Sequence, residues 1–260
     1  MEFVHEDNIK KKIVDNYNGK KDELVAFYHD KYKVVREELL AIDFSINTDE
    51  IFKKATDIIN KYFEEVEIIA KKCNIKSQSK FRSSFLEEIS IYLFSDNSYI
   101  ENKRLGFYNK KIYAGMKIGN NLNVNIMDKD VDFCIGKKVK IIIDNKEYEI
   151  ILPVVAVEVK TYLDATMFGE VQYSSRLLKN STPNVKTYVL MERNQVKDEK
   201  IIISRYERTL NEMFVLRGNK ESLIDYKVLK DYYNQICDDI KNIADMPKVN
   251  SSGRLICVNE

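Results

Sequence analysis

Val154-Val155-Ala156-Val157-Glu158-Val159-Lys160 is the stretch on which the fold turns. Its unbroken, valine-rich start predicts a central strand buried on both faces. Side chains alternate along a strand, so Glu158 and Lys160 leave one face while Val157 and Val159 enter packing on the other. A carboxylate and an ammonium at the end of a buried strand are costly unless they pair or work. C-terminal to this strand, Ala165 to Lys179 reads as a helix and Thr187 to Met191 as another strand. Strand, helix, strand implies a parallel, right-handed crossover. N-terminal to it, Val139 to Ile143, the turn Asp144-Asn145 and Tyr148 to Ile151 read as a hairpin. Val124 to Ile135 reads as one further strand. The class is therefore α/β, with a mixed central sheet flanked by helices.

The first part of the chain reads differently. Ile51, Ala55, Ile58, Ile59, Tyr62, Phe63, Val66, Ile69 and Ala70 recur at spacings of three and four, one stripe of a long amphipathic helix. Asn47 with Glu50 resembles a capping box at its start. Val25 to Leu40 suggests one or two earlier helices, and Ser83 to Phe94 a later one, with Phe85, Leu86, Ile89, Tyr92 and Leu93 on one face. The tail, Ser222 to Ile243, also reads as helix. The expected division is a helical subdomain over 1–80 and a core over 81–260, with an Asn/Tyr/Lys-rich irregular insert at about 96–125.

Composition excludes several classes. Gly (8) and Pro (3) are scarce, and no phosphate-cradling G-x-x-x-x-G-K or G-x-G-x-x-G can be drawn through the glycines. The only histidines are His5 and His29, too few and too N-terminal for zinc hydrolases, histidine-metal nucleases or Ser-His-Asp chemistry; each reads as a core or surface filler. Cys73, Cys134, Cys237 and Cys257 show no C-x-x-C spacing and read as reduced thiols of a cytoplasmic protein. The charged segment Met1 to Lys12, with no apolar run, does not read as a signal peptide, and no run reads as long and apolar enough to span a membrane.

Asp132, near the end of the strand before the hairpin, completes a constellation with Glu158 and Lys160. If its strand pairs beside Glu158, two carboxylates converge as hard-oxygen ligands for Mg²⁺. The ion would polarise a phosphodiester, and Lys160 would orient or deprotonate water and offset developing charge. The bare [D/E]-x-K pattern occurs six times, also at Glu101/Lys103, Asp144/Lys146, Asp198/Lys200, Asp225/Lys227 and Asp239/Lys241. Only Glu158/Lys160 follows a buried β-branched run and has an aspartate on an upstream strand.

Asp132 followed by Glu158-Val159-Lys160 resembles the PD-(D/E)XK nuclease superfamily, the core of most type II restriction endonucleases. The resemblance covers Ser83 to Met191 and implies a restriction-endonuclease-like core. Asp132, Glu158 and Lys160 would be catalytic, with Asp132 and Glu158 as Mg²⁺ ligands. The first helix of that core often supplies another acidic residue, here Glu87 or Glu88. The pattern departs at Val131, where the family has proline, and Asp130 is a rival ligand. The whole chain resembles restriction enzymes of the DdeI and BbvCI type, which implies a CTNAG-cored site.

Two basic stretches point to duplex DNA. Lys71 to Arg82, including Lys80 and Arg82, carries no acid. Neither does Asn102 to Lys117, where Lys103, Arg104, Asn109, Lys110 and Lys111 interleave with Phe107, Tyr108 and Tyr113. Lysines neutralise phosphates, while Arg and Asn can read purine edges. The function expected is a Mg²⁺-dependent, sequence-specific endonuclease. Its partners would be double-stranded DNA, a second copy or a related subunit, and a cognate DNA methyltransferase. The alternatives are a structure-specific or repair nuclease on the same core, or a non-catalytic DNA-binding module.

Overall fold

The computed structural model describes residues 3–76, 79–120 and 122–243. Cys257 and the last residues of the expected core therefore lie outside it. Three helices open the chain: α1 (Val4–Val14), α2 (Lys21–Phe27) and α3 (Lys33–Leu40), the last two joined by a π-helical turn. The long helix α4 (Asp49–Lys72) follows, buried through the predicted stripe and through Phe52. The expected capping box does not form. Thr48 is the N-cap, and Asn47 sits in the left-handed region at φ 54, its amide donating to Asn234 Oδ1 at 3.0 Å. Asp49 and Glu50 in the first turn and Lys71 and Lys72 in the last complement the helix dipole instead.

Helix α5 (Phe81–Phe94) corrects the expectation of a single apolar face. Every residue except Arg82 and Ser83 is buried, because the helix runs between the opening helices and the sheet. Isolated helical periodicity cannot show burial on both sides. One apolar cluster runs from Ile9, Tyr32 and Tyr62 through Phe85 to Phe133, Val157 and Tyr232, so the helical start and the sheet share a core.

The expected irregular insert contains α6 (Ser98–Asn102), β1 (Gly106–Tyr108) and the hairpin β2 (Ile112–Ile118) with β3 (Val124–Lys129). The single strand expected over Val124 to Ile135 is two. After β3 the chain leaves its hairpin, crosses at 130–132, and enters β4 (Phe133–Ile143) of the main sheet. Val131, Asp132 and Phe133 alternate across this crossing as strand residues would, which hid it from the sequence. Asp144 and Asn145, at φ 50 and 62, make the predicted turn into β5 (Lys146–Leu163). This one strand contains both predicted segments. Pro153, which cannot donate to a ladder, lies beside a bulge where the register shifts from Ile135↔Val155 to Gly136↔Pro153. A side chain at Gly136 would meet the Leu152 carbonyl at 2.6 Å, so the crossing there requires glycine.

Helix α7 (Ala165–Ser181) makes the predicted crossover to β6 (Lys186–Asn194), parallel to β5. It packs through Val171 and Leu178, with Met167 and Leu177 half-buried. Besides α6 and β1, the helix α8 (Asp198–Glu207) and the edge strand β7 (Glu212–Val215) escaped the sequence. Helix α9 (Tyr226–Lys241) closes the described chain, its N-terminus capped by Asp225. The main sheet has the order β1-β4-β5-β6-β7, antiparallel on the β1 side and parallel on the β7 side. It is the expected mixed sheet flanked by helices. Among the described residues, no helix is long and apolar enough to cross a membrane.

Candidate active site

Antiparallel pairing of Phe133 with Val157 sets Asp132 beside Glu158. The Asp132 Oδ2 accepts from the Val159 backbone N–H at 2.8 Å and from Lys160 Nζ at 3.2 Å. Lys160 Nζ also donates to Glu158 Oε2 at 3.1 Å. The ammonium is thus held between the two carboxylates, and all three side chains stay partly open to solvent. Burial raises the Glu158 pKa, and repulsion from Asp132 adds to this against attraction by Lys160. Burial works against the Lys160 charge, but the two carboxylates outweigh it and raise its pKa. Lys160 therefore stands as an ammonium, a donor rather than a base. Val131 packs with Ala156 and Leu178, which fixes the backbone just before Asp132. Asp130 is exposed.

The structure separates Glu87 from Glu88. Neighbours on a helix point about 100° apart, so only one can face the site. Glu87 lines a cavity of about 340 Å³ with Asp132, Phe107, Tyr108, Asn109 and Phe133. Burial, then repulsion from Asp132, pushes its pKa up to about 7. Glu88 is fully buried and turned toward α1. Its Oε1 accepts from the His5 and Glu6 N–H groups at 2.6 and 3.1 Å, and its Oε2 from the Tyr92 and Tyr32 hydroxyls at 2.7 and 3.1 Å. It satisfies the first turn of α1 and ties that helix to α5. His5 is a core residue, as expected, bonded to Ser84 and Tyr62.

This cluster has a signature in the pH dependence of stability. Burial lowers the His5 pKa from 6.5 to about 3, so its contribution is lost as pH falls below 6.5. Burial raises the Glu88 pKa from 4.5 to about 7, so its contribution is lost as pH rises from 4.5. Between those values the two slopes oppose. Glu88→Gln removes one of them while its amide oxygen still accepts from α1, and the tyrosine hydroxyls can rotate to face its NH₂. Urea midpoints of this variant should climb more steeply with pH between about 4.5 and 6.5 than those of the parent; equal slopes would contradict the assignment.

The expected DNA-contacting residues divide in two groups. Lys110 N–H donates to the Val131 carbonyl at 2.8 Å, and Asn109 lines the Asp132 cavity, so 109–111 lie beside the site. Lys110 and Arg104 take left-handed conformations, at φ 60 and 53, and are exposed, as is Lys111. Lys103 is half-buried. Exposed Lys80 acts on the Glu87 charge. Arg82 is different: its guanidinium makes a two-pronged bond to buried Glu192, at 2.9 and 2.8 Å, pairs with Glu67, and lies 4.5 Å from the Phe63 ring centroid. That cation is committed inside the protein, which a count of basic residues cannot reveal. Lys129 was missed. Its Nζ lies 3.9 Å from Glu158 Oε1, visible only once β3 is seen to end there.

A divalent ion fits this donor set. Mg²⁺ usually takes one or two carboxylates and completes its shell with water and phosphate. Among the described residues, no three His, Cys, Asp or Glu side chains form a closed metal cluster. Asp132 and Glu158 offer an open two-carboxylate site instead. Their repulsion, with that of Glu87 against Asp132, is relieved by a cation.

Residues 78–237 match the sequence model of the Bpu10I restriction endonuclease family. The fold is similar to that of a chain in the native BbvCI A2B2 tetramer, with a TM-score of 0.73 at 17% identity over 92% of this chain and 95% of that one. A chain of a PspGI restriction endonuclease–substrate DNA complex aligns over 92% of both chains at 14% identity, with a TM-score of 0.35. No curated protein matches the chain.

Proposed function

The chain belongs to the Bpu10I restriction endonuclease family, and from that premise we propose that it cuts double-stranded DNA with Mg²⁺ at the Asp132–Glu158–Lys160 cluster. The endonuclease activity comes with the family; the metal and the residues are the proposal. The observation that carries it is the Lys160 ammonium held within 3.2 Å of both carboxylates at the end of the central strand. Asp132 and Glu158 would hold the ion, and Glu87 lines the same cavity as Asp132. Bound Mg²⁺ supplies polarisation of the phosphodiester and a lower pKa for water. Lys160, kept charged by its neighbours, faces the negative charge that grows on the phosphate. The Val159 N–H fixes one Asp132 oxygen, so the carboxylate meets the substrate already oriented.

DNA contact is assigned to Lys80, Lys103, Arg104, Asn109, Lys110 and Lys111, with lysines on phosphates and Arg104 on a base edge. Arg82 is left out because its charge is already paired. The assembly is taken as two-fold, from two copies or with a related subunit, and a DNA methyltransferase would protect the host site. The BbvCI protein is itself an A2B2 tetramer. Plasmid and phage DNA incubated with the protein and Mg²⁺ should give discrete fragments, and EDTA should abolish them. The fragment ends then map the recognition sequence, with CTNAG as the core to look for. A uniform smear would contradict the specific reading, and cleavage surviving EDTA would contradict the metal.

A further inference from the structure

We infer that the outer half of the β2–β3 ribbon reads DNA sequence: Asn120, Asn123 and Asn125 address base edges and Lys117 a phosphate. The inference rests on the proposal that the neighbouring Asp132–Glu158–Lys160 cluster is the cutting centre. The ribbon is anchored at one end only. Ile112 and Ala114 are buried against Val131, Ala156 and Leu178, whereas Met116, Lys117 and Ile118 leave the protein surface. Ile118 is 72% exposed and Leu122 81%. An isolated pair of strands is marginal in water, and exposed aliphatic residues at its end add no stability.

The ribbon is nevertheless shaped. The Gly119 N–H donates to the Asn123 carbonyl at 2.8 Å and the Leu122 N–H to the Gly119 carbonyl at 3.0 Å, which closes the end. Lys117 pairs with Asn125 and Ile118 with Val124. Directly paired residues share a face, so the ribbon has one polar and one apolar side. Four asparagines stand between Asn120 and Asn125, and no acid occurs from Asn102 to Met127. That charge pattern suits a polyanion. A two-stranded ribbon fits the major groove, where an asparagine amide matches adenine and aliphatic side chains meet thymine methyls.

The other end of the ribbon sets its place on the duplex. Lys129, the last residue of β3, reaches to 3.9 Å from Glu158. From there to Val124 the strand spans about 17 Å at ~3.3 Å per residue. The readers can thus reach base pairs up to about five steps from the cleaved bond, at ~3.4 Å per step.

The test is selection of bound duplexes from a randomised pool, with Ca²⁺ replacing Mg²⁺, using the full chain. Asn120→Ala, Asn123→Ala and Asn125→Ala should each relax the enriched sequence at one base pair, by about tenfold to a hundredfold. Affinity for scrambled DNA and thermal melting should stay near those of the parent. Asn180→Ala, exposed on α7, serves as the control. Ribbon variants that enrich the parent sequence with undiminished preference would overturn the inference. So would a lost preference that tracks a lower sedimentation mass, since the ribbon would then bind another protein chain. Cleavage of the selected duplex by Glu158→Ala with Mg²⁺ keeps the two readings apart: if this variant still cuts, the cutting centre is wrong and the ribbon result stands.

Discussion

Lys160→Ala and Glu158→Ala should each slow DNA cleavage by at least ~10²–10³-fold, the usual cost of losing a preorganised group that stabilises the transition state. Asp132→Ala should do the same. Cognate DNA binding and the cooperative unfolding transition should be nearly unchanged, because these side chains lie at the open end of β5 and β4 rather than in the apolar core. Val157 and Val159, on the opposite face, keep the strand in place. The same spacing at Asp225 and Lys227 gives the contrast. Asp225 accepts from the Lys227 N–H at 2.9 Å as the cap of α9. Asp225→Ala should therefore cost ~1 kcal/mol of stability and leave cleavage intact, and Lys227→Ala should change neither. Single-turnover cleavage with Mg²⁺, set beside urea unfolding, separates the outcomes. A shared loss of cleavage at 158/160 and 225/227 would show that the site had been misplaced.

How much of this was legible depended on whether the signal was local. The central strand, its hairpin and the crossover to β6 are written in short runs of β-branched residues and in the Asp144-Asn145 turn, and the structure has them where they were expected. Asp132, Glu158 and Lys160 were singled out by context, since spacing alone offered six equivalent pairs, and the structure brings the three together. What the sequence hid depends on neighbours distant along the chain. Glu87 and Glu88 look alike as text, and only the docking of α1 on α5 gives Glu88 four donors and leaves Glu87 in the Asp132 cavity. Strands β1 and β7 are three and four residues long, too short to carry a period. Arg82 read as one of a run of surface cations, although its partner lies 110 positions away.

That misplaced arginine yields the second large effect. Glu192 is 2% exposed at the end of β6 and serves two guanidinium groups. Arg82 grips both carboxylate oxygens, and Arg217 Nε approaches Oε2 at 3.1 Å while its Nη1 bonds to the Ser222 carbonyl at 2.7 Å. Both cations lie over the Phe63 ring, at 4.5 and 5.4 Å from its centroid. The Arg217 N–H is not aligned on the carboxylate, so that half of the cluster rests on charge more than on a hydrogen bond. Burial lowers the Arg217 pKa, and Arg82 adds to this by repulsion, so Glu192 is what keeps two cations tolerable in one place. Removing one partner of a buried ion pair strands the other charge, at a cost of ~3–5 kcal/mol. Glu192→Ala strands Arg217 and leaves Arg82 with only the exposed Glu67, so it should fall within this range. Glu192→Gln keeps the shape and one acceptor and should cost less. Arg82→Ala gives the sharper discrimination. A cation on the DNA surface would, when lost, flatten the dependence of log K on log[salt] by ~0.9 and leave stability alone. The Glu192 cluster requires the reverse: a lowered urea midpoint and an unchanged salt slope. Lys110→Ala, at an exposed position next to Asn109, should show the surface behaviour in the same pair of measurements.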